Sequence, residues 1–206
     1  MTTTPRDLLI VAMDMPSTRP VERGDLSLAL AGAELIDLLR AGAVRLLRSR
    51  LVPEPSGFTV DDPLLGAAAA ALADGEPREP VTDWLWRRGR GLAATYLAAF
   101  EAEGQLTRQR SRRWGVFRSS RKVLVDSPAR TRAANRWAAD EPVLAALAAA
   151  VGIRDRRAGD YPDVDDDAAS AVLAAVTTAV GELDDERGRR ARKLDDAAVT
   201  NYRRGY

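Results

Sequence analysis

Residues 25–40 have the sequence DLSLALAGAELIDLLR, and this stretch decides the expected class of fold. Asp25 is a good N-cap, and the leucines that follow it favour one wide apolar face at helical spacing. The small residues Ala31, Gly32 and Ala33 suggest that a neighbouring helix packs closely at this point. The stretch therefore predicts a helix from Asp25 to Arg40 that packs against other helices.

Apolar periodicity on both sides of this helix predicts several more helices, most of them bounded by proline, glycine or acidic caps. The first of these segments fits either a helix or a strand, and together they cover 5–13, 63–73, 82–103, 128–139, 142–151, 168–180 and 183–199. Thr59 or Asp61 is the expected cap of the helix that begins at Pro63, and Asp140 of the one that begins at Pro142.

Two short hairpins complete the expected fold. One pairs 44–52 with 58–60, and the other lies within 105–125. The sequence therefore predicts a mainly α protein, a compact single-domain helical bundle over 1–206 with short β-hairpins. Its core spans about 5–180, and a charged C-terminal helix follows at about 183–199.

The absence of two residue types narrows the possible chemistry. The 206 residues contain neither cysteine nor histidine, which excludes disulfides, metals held by those side chains, and catalysis that depends on either. The start of the chain lacks the basic region and cleavage site of a signal peptide, and no run of 18 apolar residues occurs. We therefore expect a cytoplasmic protein that at most lies peripherally on the inner face of the membrane.

Charge is distributed unevenly along the chain. Residues 87–137 carry 13 basic and three acidic side chains, a net charge of +10, whereas 51–86 and 138–200 are each acidic. A basic block between acidic flanks indicates an anionic partner, or a charge match within the molecule or between subunits.

Six arginines in this block are candidates for binding an anionic headgroup. Two lie at the head of the long predicted helix, where guanidinium groups and a helix N-terminus both favour phosphate. Four lie on the second hairpin, where alternation at 108, 110 and 112 puts three guanidinium groups on one strand face that suits an anionic surface. The six are Arg87, Arg90, Arg108, Arg110, Arg112 and Arg113.

The apolar residues of the second hairpin allow two interpretations. They are Trp114, Phe117, Val123 and Val125. They fit shallow insertion at the headgroup level of an anionic membrane, and equally burial in a homo-oligomer interface. Arginine beside an aromatic ring also suits single-stranded nucleic acid, but no nucleic-acid-binding motif occurs, so we do not expect that partner.

Two acidic groups near the C-terminus suggest a different chemistry. Clustered carboxylates hold Mg²⁺ against a diphosphate, as in terpene-synthase-like enzymes that act on prenyl diphosphates. The residues are Asp163, Asp166, Asp167, Asp184, Asp185 and Glu186. The simpler interpretation is helix capping by Asp165–Asp167 next to a solvated loop, and a salt-bridged, exposed helix face over 182–193, with no metal and no cofactor.

The order of these elements and motifs is similar to that of the bacterial branch of the Golgi phosphoprotein 3 family. The matching stretches are 7–13, 30–46, 61–65, 84–106 and 113–151. The resemblance implies a compact helical domain in which one protruding hairpin mediates oligomerisation. It also implies binding of phosphatidylinositol 4-phosphate and of short cytosolic peptide tails.

The resemblance further implies where a headgroup would bind. The family's site uses a tryptophan, an arginine and two further basic residues, and these positions correspond to Glu22, Ala31, Arg90 and Ala93 here. Arg90 alone keeps the expected side chain.

The favoured function is that of a non-enzymatic, peripheral membrane protein whose arginine-rich face recognises anionic, phosphoinositide-like headgroups. One alternative is an Mg²⁺-dependent enzyme acting on a prenyl diphosphate through the aspartate clusters. The other is a protein-binding adaptor without a lipid role. Binding to liposomes, Mg²⁺-dependent turnover and lipid-independent capture of a partner distinguish the three.

Overall fold

A computed structural model describes residues 3–17, 20–54, 61–75, 78–110, 120–153 and 164–203. Within these residues the chain forms eight helices and two antiparallel hairpins, so the predicted fold class is confirmed. The helices are α1 (Thr4–Asp14), α2 (Arg23–Arg40), α3 (Pro63–Ala73), α4 (Val81–Arg88), α5 (Leu92–Ala102), α6 (Pro128–Ala138), α7 (Pro142–Ala150) and α8 (Asp167–Arg203). The strands are β1 (Val44–Leu47), β2 (Arg50–Pro53), β3 (Leu106–Arg110) and β4 (Ser120–Leu124).

Helix α2 lies at the centre of the core, because α1, α4, α5, α7 and α8 all pack against it. Its leucines and alanines are buried on every side along most of its length. Gly32 lies where α8 crosses, and a Cβ atom at Gly32 would fall 2.4 Å from Cγ2 of Val176. The close helix packing that the small residues predicted is therefore confirmed.

The start of α2 differs from the prediction. The helix begins at Arg23, with Glu22 as its N-cap, so Asp25 is not the cap. Asp25 instead lies in the first turn, buried, and accepts a hydrogen bond from Nη1 of Arg187 at 2.6 Å. The carboxylate that the local pattern assigned to capping thus pairs with an arginine of α8.

The prediction of one long helix over 82–103 is wrong. Two helices with a turn between them occupy this range. Helix α4 ends at Arg88, and α5 begins at Leu92. Gly91 has φ +70°, the left-handed region in which glycine has no steric penalty, and it is the N-cap of α5. Both α4 and α5 pack on α2.

The two C-terminal helices predicted over 168–180 and 183–199 form the single helix α8. Gly181 lies inside it, where one glycine weakens a helix by only about 1 kcal/mol relative to alanine. The N–H groups of Ala168 and Ala169 donate to Oδ1 of Asp166 at 2.9 and 3.1 Å, so Asp166 caps the helix as predicted. None of the helices in the described ranges is long and apolar enough to span a bilayer.

Both hairpins are present, although the first is paired differently from the prediction. Strand β1 pairs with β2 around a two-residue turn, Arg48 and Ser49, both with positive φ. The predicted partner at 58–60 lies outside the described residues. The second hairpin pairs β3 with β4, and its tip at 111–119 also lies outside them.

Candidate anion-binding cleft

A cleft of about 290 Å³ opens where the start of α2, the α4–α5 turn and the side of α8 meet. This volume is at the lower limit of roughly 300–1,000 Å³ that small-ligand sites occupy. The cleft is open to solvent, and the residues that shape its chemistry are Arg23, Gly24, Trp86, Gly89, Arg90 and Leu183.

Two arginines from separate elements face this cleft. Arg23 begins α2 and Arg90 lies in the α4–α5 turn, and both are exposed. Neither guanidinium makes an ion pair or a side-chain hydrogen bond with any residue that the structure describes. Both therefore keep their full set of donors for a ligand, and guanidinium donors pair with phosphate oxygens in two-point contacts.

An aromatic ring completes the lining. Trp86 has 37% of its surface exposed, whereas Trp84, two residues earlier, is fully buried and donates from Nε1 to the carbonyl oxygen of Ala31. Helix α4 thus directs one indole into the core and the other to the edge of the cleft. An indole ring at such an edge offers an apolar face and one N–H donor.

Glycine lets the backbones that form the cleft approach closely. A Cβ atom at Gly89 would lie 2.5 Å from the carbonyl oxygen of Leu85 and 3.4 Å from that of Ser27. The Ser27 hydroxyl accepts a hydrogen bond from the N–H of Ala93 at 3.1 Å, which joins α2 to the first turn of α5. The positions of the two arginines are thereby set by direct contact between their elements.

Helix polarity adds to the positive potential in the cleft. The cleft lies at the N-termini of α2 and α5, and neither N-cap residue makes a side-chain capping bond. A helix N-terminus behaves as roughly half a positive charge, so anions are favoured near both.

Helix α8 forms the third wall. Leu183 lines the cleft, and a Cβ atom at Gly24 would meet Cδ2 of Leu183 and Nη2 of Arg187, each at 2.8 Å. The ion pair of Arg187 with buried Asp25 holds this part of α8 against the start of α2. The cleft therefore depends on elements that are more than 150 residues apart in sequence.

Of the six predicted anion-binding arginines, only Arg90 lies in the cleft. Arg87 points away from it, donates to both carboxylate oxygens of Glu79 at 2.8 and 2.6 Å, and stacks over the Trp84 ring. The backbone of Arg108 and Arg110 belongs to β3, but their side chains lie outside what the structure describes. Arg112 and Arg113 lie outside the described residues altogether.

Several other basic residues of the block are engaged in ion pairs inside the molecule. Arg88 pairs with Glu34 at 2.7 Å, Arg130 with Asp14 at 2.6 Å, Arg136 with Asp7 at 2.5 Å, and Lys122 with Glu101. These pairs join the basic block to carboxylates elsewhere in the chain. The charge asymmetry thus serves at least partly as an intramolecular match, which is one of the two interpretations that the sequence left open.

Burial of these carboxyl groups changes their acidity. Desolvation raises the pKa of Glu34 and of Asp7, and their arginine partners oppose that rise. The pKa of Asp37 is also raised by burial, while a hydrogen bond from the N–H of Thr4 at 2.7 Å opposes it. Glu34 and Asp7 are buried and Asp37 is half-buried; all three join helices, and none lines the cleft.

The apolar hairpin residues are described only in part. Val123 is half-buried and Val125 is 38% exposed at the end of β4. Trp114 and Phe117 lie outside the described residues, so insertion and self-association through the tip stay predictions.

The two acidic groups are separated along α8. Asp167 is in its first turn and Asp184 is 17 residues further on, which corresponds to roughly 25 Å at 1.5 Å per residue. Glu186 pairs with Arg189 and Arg190 on an exposed face, and those arginines lower the pKa of its carboxyl group. Asp184 and Asp185 are exposed, Asp163 lies outside the described residues, and the described ones contain no cluster of three or more metal-ligating side chains.

The positions that the resemblance marked as the headgroup site are mostly unsuited to that role. Ala31 and Ala93 are buried, and Glu22 is exposed at the N-cap of α2. Arg23 and Trp86, which sequence reasoning did not select, supply instead a guanidinium and an indole next to Arg90. The spacing of Trp86 and Arg90, four residues apart, was the one local signal that could have paired them.

The fold and the cleft define a mainly helical binding module with a small, positively polarised cleft at two helix N-termini. A sequence model of the Golgi phosphoprotein 3 (GPP34) family matches residues 5–200, nearly the whole chain, so the chain belongs to the Golgi phosphoprotein 3 family. No curated protein matches the chain. Membership supports a Golgi phosphoprotein 3-like binding role at the level of the family.

Proposed function

We propose that the protein binds membranes peripherally by taking a phosphorylated, phosphoinositide-like lipid headgroup into the cleft between α2, the α4–α5 turn and α8. The observation that carries the proposal is the pair Arg23 and Arg90, two exposed guanidinium groups without described partners, beside the exposed indole of Trp86. Two helix N-termini strengthen the attraction for an anion.

The shape of the cleft favours a ligand presented by a membrane. At about 290 Å³ it suits a phosphorylated inositol ring, while the glycerol and acyl chains of a lipid would stay outside. Trp86 at the edge suits the headgroup level of a bilayer, where amphipathic rings concentrate.

Liposome co-sedimentation tests the proposal. The wild-type protein should bind phosphatidylcholine vesicles that contain a phosphatidylinositol phosphate and should not bind pure phosphatidylcholine. Arg23→Gln with Arg90→Gln should weaken this binding roughly a hundredfold, because each charged hydrogen-bond contact contributes about 1.5 kcal/mol or more.

A matched control changes two other exposed arginines that lie outside the cleft, Arg132→Gln with Arg192→Gln. Isothermal titration with soluble inositol 1,4-bisphosphate then separates headgroup binding from attraction to the surface. Equal binding to neutral and phosphoinositide vesicles, or equal losses in both double variants, would show that the cleft is not the site. Capture of a protein partner without any lipid dependence would favour the adaptor function instead.

A further inference from the structure

The tip of the first hairpin is an exposed basic surface that carries an apolar side chain. Leu47 is 51% exposed there, and Arg48 and Arg50 beside it are exposed as well. Arg78, from the loop before α4, lies against the same tip because its carbonyl oxygen accepts a hydrogen bond from Nη1 of Arg50 at 3.0 Å. These four residues, with Ser49, are called the hairpin tip below.

The hairpin tip is held firmly to the body of the protein. The N–H of Leu51 donates to the carbonyl oxygen of Glu79 at 2.8 Å, and the N–H of Val81 donates to that of Ser49 at 3.2 Å. Val44 and Leu51 anchor the strands in the core, each with 1% of its surface exposed. The position of the tip relative to α4 is therefore set by backbone hydrogen bonds and buried side chains.

The backbone at the tip is strained. Arg48, Ser49 and Arg78 have φ of +50°, +62° and +61°, in the left-handed region that favours glycine or asparagine. A two-residue hairpin turn of this kind ordinarily uses those residues. Arg48 and Arg78 thus occupy positions where local stability favours glycine, and strained backbone of this kind is typical of binding sites.

The charges of the tip are not neutralised by the described parts of the fold. The nearby carboxylate of Glu54 pairs with Arg45, and that of Glu79 is buried and pairs with Arg87. Arg48, Arg50 and Arg78 make no ion pair with a described residue. Three exposed arginines and one exposed leucine on the same tip thus point to an anionic partner with an accessible apolar layer.

Helix α4 connects the hairpin tip to the cleft. It begins at Val81, which is hydrogen-bonded to the tip, and ends at Arg88, immediately before the cleft residues Gly89 and Arg90. Its 8 residues span about 12 Å. The hairpin tip and the cleft therefore lie at the two ends of one short element.

We propose that the hairpin tip is a second contact with the membrane, in which Leu47 enters the headgroup layer and Arg48 and Arg78 bind lipid phosphates. The inference rests on the proposed function in one respect, that the cleft and the tip face the same bilayer. A membrane fits better than an acidic protein, because a tip of five residues offers far less than the roughly 800 Å² per partner of a specific protein interface.

Vesicle binding of charge-matched variants tests the second contact. Arg48→Gln with Arg78→Gln should weaken binding to phosphatidylcholine vesicles containing phosphatidylserine by about thirtyfold, since each basic residue near such a surface contributes about fivefold. Leu47→Ser should weaken it by roughly threefold to tenfold. Binding of soluble inositol 1,4-bisphosphate should stay unchanged in both, because neither lines the cleft.

The control is Arg132→Gln with Arg192→Gln, which removes the same charge from α6 and α8. Wild-type vesicle affinity in the tip variants, or an equal loss in the control, would overturn the second contact. If poly-glutamate binds the wild type but not Arg48→Gln with Arg78→Gln, and vesicles bind both equally, the tip binds an acidic protein and the inference fails. Loss of inositol 1,4-bisphosphate binding in Arg23→Gln with Arg90→Gln separately tests the cleft.

Discussion

Replacing Arg88 by methionine removes the partner of a fully buried carboxylate. Glu34 lies in the middle of α2 with 0% of its surface exposed. Its Oε2 accepts from Nε of Arg88 at 2.7 Å, and its Oε1 accepts from Nη2 of Arg88 at 2.8 Å and from the hydroxyl of Tyr96 at 3.0 Å. The variant keeps the methylene packing of the side chain but leaves the carboxylate with the tyrosine alone among these donors.

The expected loss follows from this geometry. Removing one member of a buried, hydrogen-bonded ion pair typically lowers the free energy of unfolding by about 3–5 kcal/mol, because a desolvated charge is left behind. For a chain of 206 residues, 1 kcal/mol shifts the melting temperature by roughly 2–4 °C, so a decrease of about 6–20 °C is expected.

The loss should depend on pH in a defined direction. Burial already raises the pKa of Glu34 above 4.5, and Arg88 opposes that rise. Without Arg88 the pKa in the folded state rises further, while the pKa in the unfolded state stays near 4.5. As pH falls from neutrality through the folded-state pKa, the folded variant takes up a proton that the unfolded chain does not. The difference in free energy of unfolding between the variant and the wild type therefore becomes smaller.

Urea unfolding at neutral pH and at about pH 5 measures both effects. The control is Arg189→Met, which breaks an exposed pair with Glu186 on α8 and should leave the urea midpoint unchanged. A loss below about 1 kcal/mol at neutral pH for Arg88→Met would contradict this prediction, since a buried ion pair is expected to contribute more. A loss of unfolding free energy that is as large at about pH 5 as at neutral pH would also contradict it.

Three further outcomes are expected. Gly32→Ala should lower the free energy of unfolding by about 1–3 kcal/mol, because the new Cβ would overlap Val176. Urea unfolding measures this loss. As an internal control, the loss should be smaller in a Val176→Ala background. Arg48→Gly should stabilise the fold by about 0.5 kcal/mol, because glycine adopts the positive φ of this position without steric penalty. The same variant should bind vesicles more weakly. Urea unfolding should therefore show higher stability while co-sedimentation shows lower affinity. Trp86→Ala should weaken inositol 1,4-bisphosphate binding about tenfold in titration calorimetry. It should also lower the free energy of unfolding by about 2 kcal/mol, because 37% of the Trp86 surface is exposed and the rest is buried. Wild-type affinity in this variant would remove Trp86 from the site.

Local patterns predicted much of the secondary structure. The helix at Pro63–Ala73 has the predicted bounds, although its cap is Asp62, whose Oδ1 accepts from the N–H groups of Leu64 and Leu65. The cap of α7 is likewise Glu141 and not Asp140, which has φ +52°. Such errors of one residue arise because neighbouring acidic residues have nearly equal capping propensity, and the path of the incoming chain selects between them.

The candidate site was predicted less well than the fold. Arg90 and Arg87 were both predicted to bind an anion; Arg90 lies in the cleft, whereas Arg87 is engaged with Glu79 and Trp84. The two differ because α4 ends between them and the chain turns. A pattern that treats 82–103 as one helix places both on the same face, and only the break at Gly91 separates them.

Composition and short-range patterns were enough to predict a helical domain with two hairpins, a chemistry without histidine or cysteine, and a family resemblance that the family match confirmed. These properties depend on composition and on patterns within a few residues. Which charges are available to a ligand depends on how the helices pack. Arg88 finds Glu34 and Arg136 finds Asp7 across 54 and 129 residues, whereas Arg23 and Arg90 face an open cleft. The interaction between two charges depends on their distance and on the solvent around them, and neither is encoded in the local order of residues.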